Sequence, residues 1–135
     1  MSRRLSGSMA ASKDGGKSGL RVLIVRGSFA SLGGAERELL QLIRATSQRW
    51  EVSLASLDFT EDAKALLDDA PVRLLLPENA MQWPNGAVAE IMAKASTSAE
   101  KMWRGMEIPW DTFDAVHISV CRGSLEILPL IPAHL

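Results

Sequence analysis

Leu20-Arg21-Val22-Leu23-Ile24-Val25, followed after a short loop by Gly33-Gly34-Ala35-Glu36-Arg37, is the stretch on which the fold turns. The first run is short, β-branched and almost continuously apolar. That pattern suits a strand buried on both faces, as in a parallel sheet covered by helices. Beyond the glycine pair, Ala35, Leu39, Leu42 and Ile43 recur at i, i+4, i+7 and i+8, the stripe of an amphipathic helix. Glu36, Arg37, Gln41, Arg44 and Gln48 fill its other side.

Outward from this unit the same alternation repeats. Residues 50–56 read as a second strand. Thr60 caps a short helix, with Glu61 and Asp62 placed against its N-terminal dipole and Ala63, Leu66, Leu67 and Ala70 as its buried stripe. Pro71 stops that helix, residues 72–76 form a third strand, and residues 77–85 form a connecting loop. A long helix then carries Val88, Ile91, Ala95, Ala99, Met102 and Met106 on one face, and residues 113–120 form a fourth strand. A helical start at 123–128 is interrupted by Pro129 and Pro132. Strands alternating with helices predict an α/β, Rossmann-like parallel sheet flanked by helices. With no fifth strand in view, residues 20–135 read as a partial N-terminal domain whose open edge favours self-association. Residues 1–19, rich in Ser, Gly and Lys, read as a disordered tail.

The chain has 135 residues, 47% hydrophobic and 23% charged, the balance of an ordinary globular protein. Its net charge of −1 offers no electrostatic footprint for nucleic acid. The single cysteine, Cys121, excludes an internal disulfide and metal sites built on cysteine pairs, and it reads as a small buried hydrophobe. His117 and His134 lie too far apart for a local zinc motif, so no metal is expected. No run approaches the roughly 18 apolar residues of a membrane span, and Arg3 and Arg4 precede no apolar signal core. The expected location is cytoplasmic, with a membrane surface as the alternative.

Open α/β sheets bind ligands at the carboxyl ends of their strands. Two segments fall there, residues 27–34 and residues 117–121. Gly33 and Gly34 open the first helix, where free amides and the helix dipole favour an anion; the plainer reading is a flexible turn. His117 and Ser119, two apart on a strand, share a face, and a histidine there can act as a base or hold a sugar hydroxyl. The competing reading is a packed or hydrogen-bonded core histidine. The dinucleotide fingerprint G-x-G-x-x-G is missing, and Asp58 comes late for a ribose-binding acid, which disfavours a nicotinamide dehydrogenase. Residues 11–18 fit a relaxed phosphate-loop pattern but lack the preceding strand and following helix that its chemistry needs. Trp50, Trp83, Trp103 and Trp110, with Met92, Met102 and Met106, read as packing.

At Arg21-Val22-Leu23-Ile24-Val25, Gly33-Gly34-Ala35-Glu36-Arg37, Glu51-Val52-Ser53-Leu54-Ala55 and Phe113-Asp114-Ala115-Val116-His117, the chain resembles the N-terminal domain of GT-B glycosyltransferases of family 4 (group 1). The resemblance implies a retaining transfer of a sugar from a nucleotide-sugar donor to a hydroxyl acceptor, with no resident cofactor. It implies that Gly33 and Gly34 face the donor phosphates or the acceptor, with Glu36 and Arg37 mainly structural. Catalytic candidates by the same route are His117 and Ser119, although the family's second histidine is replaced here by Ser119. Its donor-binding carboxylates, E-x7-E, belong to a C-terminal domain, and no glutamate pair with that spacing occurs in the chain. The fragment alone is therefore expected to be inactive, and the alternative is a non-catalytic Rossmann-like binding module.

Overall fold

Apolar character on both sides of the first strand requires cover on both sides, and the chain supplies it. In the computed structural model, which describes residues 19–86 and 88–135, the elements follow in strict alternation. They are β1 (Arg21–Arg26), α1 (Gly34–Thr46), β2 (Glu51–Ala55), α2 (Glu61–Leu67), β3 (Val72–Leu75), α3 (Ala89–Gly105) and β4 (Ala115–Ser119). Two 3-10 turns, Trp110–Thr112 and Leu125–Leu130, flank β4. The expected tail, apart from Gly19, and the phosphate-loop-like run at 11–18 lie outside the described residues.

All strand pairs are parallel, in the order β3-β2-β1-β4. These are the first four places of the doubly wound order 3-2-1-4-5-6. The fold is α/β and Rossmann-like. On one face Val22, Ile24, Val52 and Leu54 meet Leu39, Leu40 and Ile43 of α1 with Ala63 and Leu67 of α2. On the other, Leu23, Val25 and Ala55 meet Ala99 and Trp103 of α3, Phe113 and Ile127. Each fully buried Leu or Ile contributes about 1.5–3 kcal/mol, so both layers are needed to hold so short a sheet.

Several side chains depart from the expected stripes. Leu42 is 51% exposed and Ala35 is exposed, whereas Leu40 is buried. Glu36 is ion-paired to the strand residue Arg26, which turns α1 so that positions 36, 40, 43 and 47 face the sheet. That is an equally good 3.6-residue stripe, selected by a tertiary contact. On α3 the buried anchors are Ala99 and Trp103, and the Trp103 indole N–H donates to the Gly123 carbonyl at 2.7 Å. Met92 and Val88, assigned to the core stripe by periodicity, are 59% and 61% exposed because the first turn of α3 stands clear of the sheet. The Thr60 cap forms as expected, accepting the Ala63 amide at 3.2 Å. Among the described residues no helix is long and apolar enough to cross a membrane.

Candidate functional site at the carboxyl end of the first strand

β1 and β4 are neighbours although two strands and three helices separate them in sequence, so the strand order reverses between them. Such a switch point opens a crevice at the carboxyl ends of the strands. Here the crevice is largely filled by the chain itself. The Gly27 amide donates to Ser124 Oγ at 2.9 Å, and that hydroxyl donates to the Ser119 carbonyl at 2.7 Å. A Cβ on Gly27 would strike the Arg122 carbonyl and come within 2.8 Å of the Ser124 nitrogen, so only glycine admits this approach.

On the other side of the β1 tip stands the first turn of α1. Gly33 is its N-cap, and the Gly33 amide donates to Glu36 Oε1 at 2.9 Å. The helix's own carboxylate therefore holds part of the anion position that the glycine pair advertises. Among the described residues, the amides of Gly34 and Ala35 find no partner within the chain. Gly34 has open space around it. One amide of the expected pair is thus taken and one remains available.

Arg26 makes this turn more than a cap. It ends β1 on the same face as Val22 and Ile24, yet it is 94% buried, with 6% of its surface exposed. Its guanidinium pairs with the Glu36 carboxylate, donates to Ser119 Oγ at 2.7 Å and lies 5.8 Å from the Phe29 ring centroid. Burial pushes the Glu36 carboxyl up, but hydrogen bonds from its own and the Gly33 amides and the Arg26 charge overcome this and hold it below the usual range. Arg26 Nε is buried without a partner, a cost of about 1–3 kcal/mol.

The two catalytic candidates part company here. Ser119 joins the buried network through Arg26. His117 shares its strand face but is exposed on the edge strand β4, in register with Ile24 of β1. It is neither the core histidine that packing would make nor in contact with the glycine loop. Cys121, expected to be buried, is half-buried, because Ser124 pulls the loop back across the strand tips and leaves its edge open. Sequence reasoning missed Arg26 and Ser124. The only signal was an arginine closing a strand whose even positions are apolar.

Beside the crevice, Ser28 and Asp58 continue the β1–β2 pairing as an isolated bridge, so Asp58 does sit at the second strand's tip. Its carboxylate is engaged by the Trp83 indole N–H at 3.0 Å and by the Ser28 hydroxyl at 3.4 Å. Arg122 stacks over the Trp83 ring at 4.5 Å, roofing a cleft of about 340 Å³ with Ile91, Met92, Ala95 and Glu126. A more polar groove lies at the opposite, amino end of the sheet around Arg21, Glu51 and Arg73, away from the glycine loop.

Among the described residues no cluster of His, Cys, Asp or Glu is arranged to hold a metal. The chain matches no protein-family model, no curated protein and no solved structure. The functional reading therefore stands on the sequence motifs and on the chemistry of the β1 tip.

Proposed function

We propose that this chain is the acceptor-side, Rossmann-like half of a retaining glycosyltransferase of the GT-B type. In this reading it uses a nucleotide sugar as donor, a hydroxyl compound as acceptor and no resident cofactor. The observation that carries the reading is the open first turn of α1. The free amides of Gly34 and Ala35 stand at the carboxyl end of β1, beside the switch point and at the positive end of a 13-residue helix. Backbone amides and the helix dipole together favour a phosphate group there. Gly33 contributes by shaping the turn, since its amide is already held by Glu36. Donor-binding carboxylates belong, in this reading, to a second domain, so the chain alone positions only one side of the reaction and does not turn over. Ser119, tied to Arg26, then orients the charged pair behind the glycine turn, and His117 lies too exposed to be the leading catalytic candidate.

The test is a titration of isotope-labelled protein with UDP-glucose and GDP-mannose, followed by amide shifts, with a parallel assay of sugar transfer. Saturable shifts centred on Gly34 and Ala35, without turnover, are expected. Unmoved amides at millimolar nucleotide sugar would sink the proposal.

A second reading, a non-catalytic Rossmann-like binding module, is favoured by the Glu36 carboxylate already seated on the Gly33 amide. It predicts the same amides moving with inorganic phosphate and no added response to the nucleotide or sugar.

A further inference from the structure

The carboxylate seated in the first turn of α1 belongs to the chain itself. Glu36 Oε1 accepts the Gly33 amide at 2.9 Å, and its other oxygen pairs with the Arg26 guanidinium. Arg26 is more than nine-tenths buried, and its Nε has no partner, so this guanidinium keeps a donor that neither Glu36 nor Ser119 satisfies. An unsatisfied donor on a buried cation is costly to a fold, and an anion entering the turn can engage it. A second cation stands at the mouth of the turn. Arg37 is exposed and bends back to donate its Nε to the Leu32 carbonyl at 3.1 Å, one residue before the helix N-cap. Among the described residues Arg37 forms no ion pair, so its charge is uncompensated.

We propose that Arg37, with the Gly33, Gly34 and Ala35 amides, binds a phosphate monoester dianion that enters by displacing the Glu36 carboxylate, with Arg26 as the buried counter-charge. The inference rests on the reading of this turn as an anion site, and it adds how the site opens and which charge it takes. Glu36 lies in the first helical turn with 16% of its side chain exposed, so rotation about its own side-chain bonds delivers the carboxylate to water. Arg26 does not follow, because it donates to Ser119 Oγ at 2.7 Å. With Glu36 out, the turn presents two guanidinium charges, three backbone amides and the positive end of a helix. A group with two negative charges and three acceptor oxygens matches that set. A single carboxylate does not, since it brings no more charge than the side chain it must replace. The resident Glu36 therefore acts as a threshold that favours doubly charged anions over singly charged ones.

The test is an NMR titration of the isotope-labelled whole chain with methyl phosphate at about pH 7.5, where a phosphate monoester is a dianion. Saturable shifts are expected at the Gly33, Gly34 and Ala35 amides and at the Arg26 Nε–H signal, with the Glu36 carboxyl carbon moving to its solvated position. Acetate and dimethyl phosphate, each singly charged, should bind about tenfold more weakly or worse. Arg37→Gln, a change at an exposed position, should raise the dissociation constant about tenfold. Arg37→Lys should recover only part of that loss, because it lacks the planar fork. Glu36→Gln should lower the constant by removing the competing charge. An unmoved Arg26 signal, an unchanged constant in Arg37→Gln, or acetate binding as well as methyl phosphate would each overturn the inference. Shifts with UDP-glucose and none with methyl phosphate would overturn it while leaving the transferase reading intact. Shifts with methyl phosphate and none with UDP-glucose would support it and sink that reading.

Discussion

On the β4 side of the β1 tip, Gly27 gives its amide to the buried hydroxyl of Ser124, and backbone presses against its Cα. On the α1 side, Gly33 gives its amide to the carboxylate of Glu36, whose charge is balanced by Arg26 and whose neighbours Gly34 and Ala35 stay open. The first closure is neutral, buried and bonded on every side. An incoming ligand could enter it only by dismantling the loop at residues 121–124. The second is charged and partly solvated, and an external anion can compete with the resident carboxylate. The lesson concerns glycines at strand tips: their positions alone do not say whether an amide is offered to a ligand or consumed by the fold.

The largest expected effect comes from Gly27→Ala. Its Cβ would meet backbone atoms rather than a flexible side chain, so a loss of about 3 kcal/mol or more is expected in chemical denaturation. A near-neutral variant would show that this side is loose and the contrast false. Next, Ser124→Ala strands the Gly27 and Cys121 amides and should cost about 2 kcal/mol by the same measurement, with no change in response to anions.

Glu36→Ala sharpens the other half. It frees the Gly33 amide and leaves Arg26 without its counter-charge, so a loss of about 1–3 kcal/mol is expected. Added phosphate should then raise the melting temperature of this variant more than that of the wild type, because binding to the native state stabilises it. Equal responses would break the idea that Glu36 occupies the anion position. The pH dependence has a defined sign. Glu36 has a lowered folded-state pKa, so its contribution is fully present above the unfolded value of about 4.3 and is lost as pH falls through the folded value. The stability gap between wild type and Glu36→Gln should accordingly narrow in acid denaturation below about pH 4. The smallest effect belongs to Asp114→Asn at the amino end of the same strand pair. The Arg21–Asp114 bridge lowers the Asp114 pKa, but its side chains are 40% and 38% exposed, and a loss of no more than about 1 kcal/mol is expected by denaturation.

Much of the fold was legible because it depends on local pattern. The unbroken apolar run at residues 22–25 announced two-sided burial, Thr60 announced a helix start, and the spacing of elements announced a parallel sheet. Legibility failed where two readings of one pattern were equally good. Adjacent Leu39, Leu40, Leu42 and Ile43 allow more than one inward face, and only the Arg26–Glu36 contact selects among them. The candidate site was half legible: Gly33 and Gly34 do lie at the strand tip, but the competitor for their amides is a residue three positions along the same helix.

The sequence by itself determined which segments become strands and helices, since hydrophobic period, caps and prolines act over a few residues. It also determined that the glycine pair opens a helix directly after the first strand. Only the tertiary structure decided that β4 joins β1, that Ser124 from 97 positions away closes the Gly27 amide, and that His117 faces open space on an edge. Those outcomes depend on which elements become neighbours in space, and long-range pairing leaves no periodic trace along the chain.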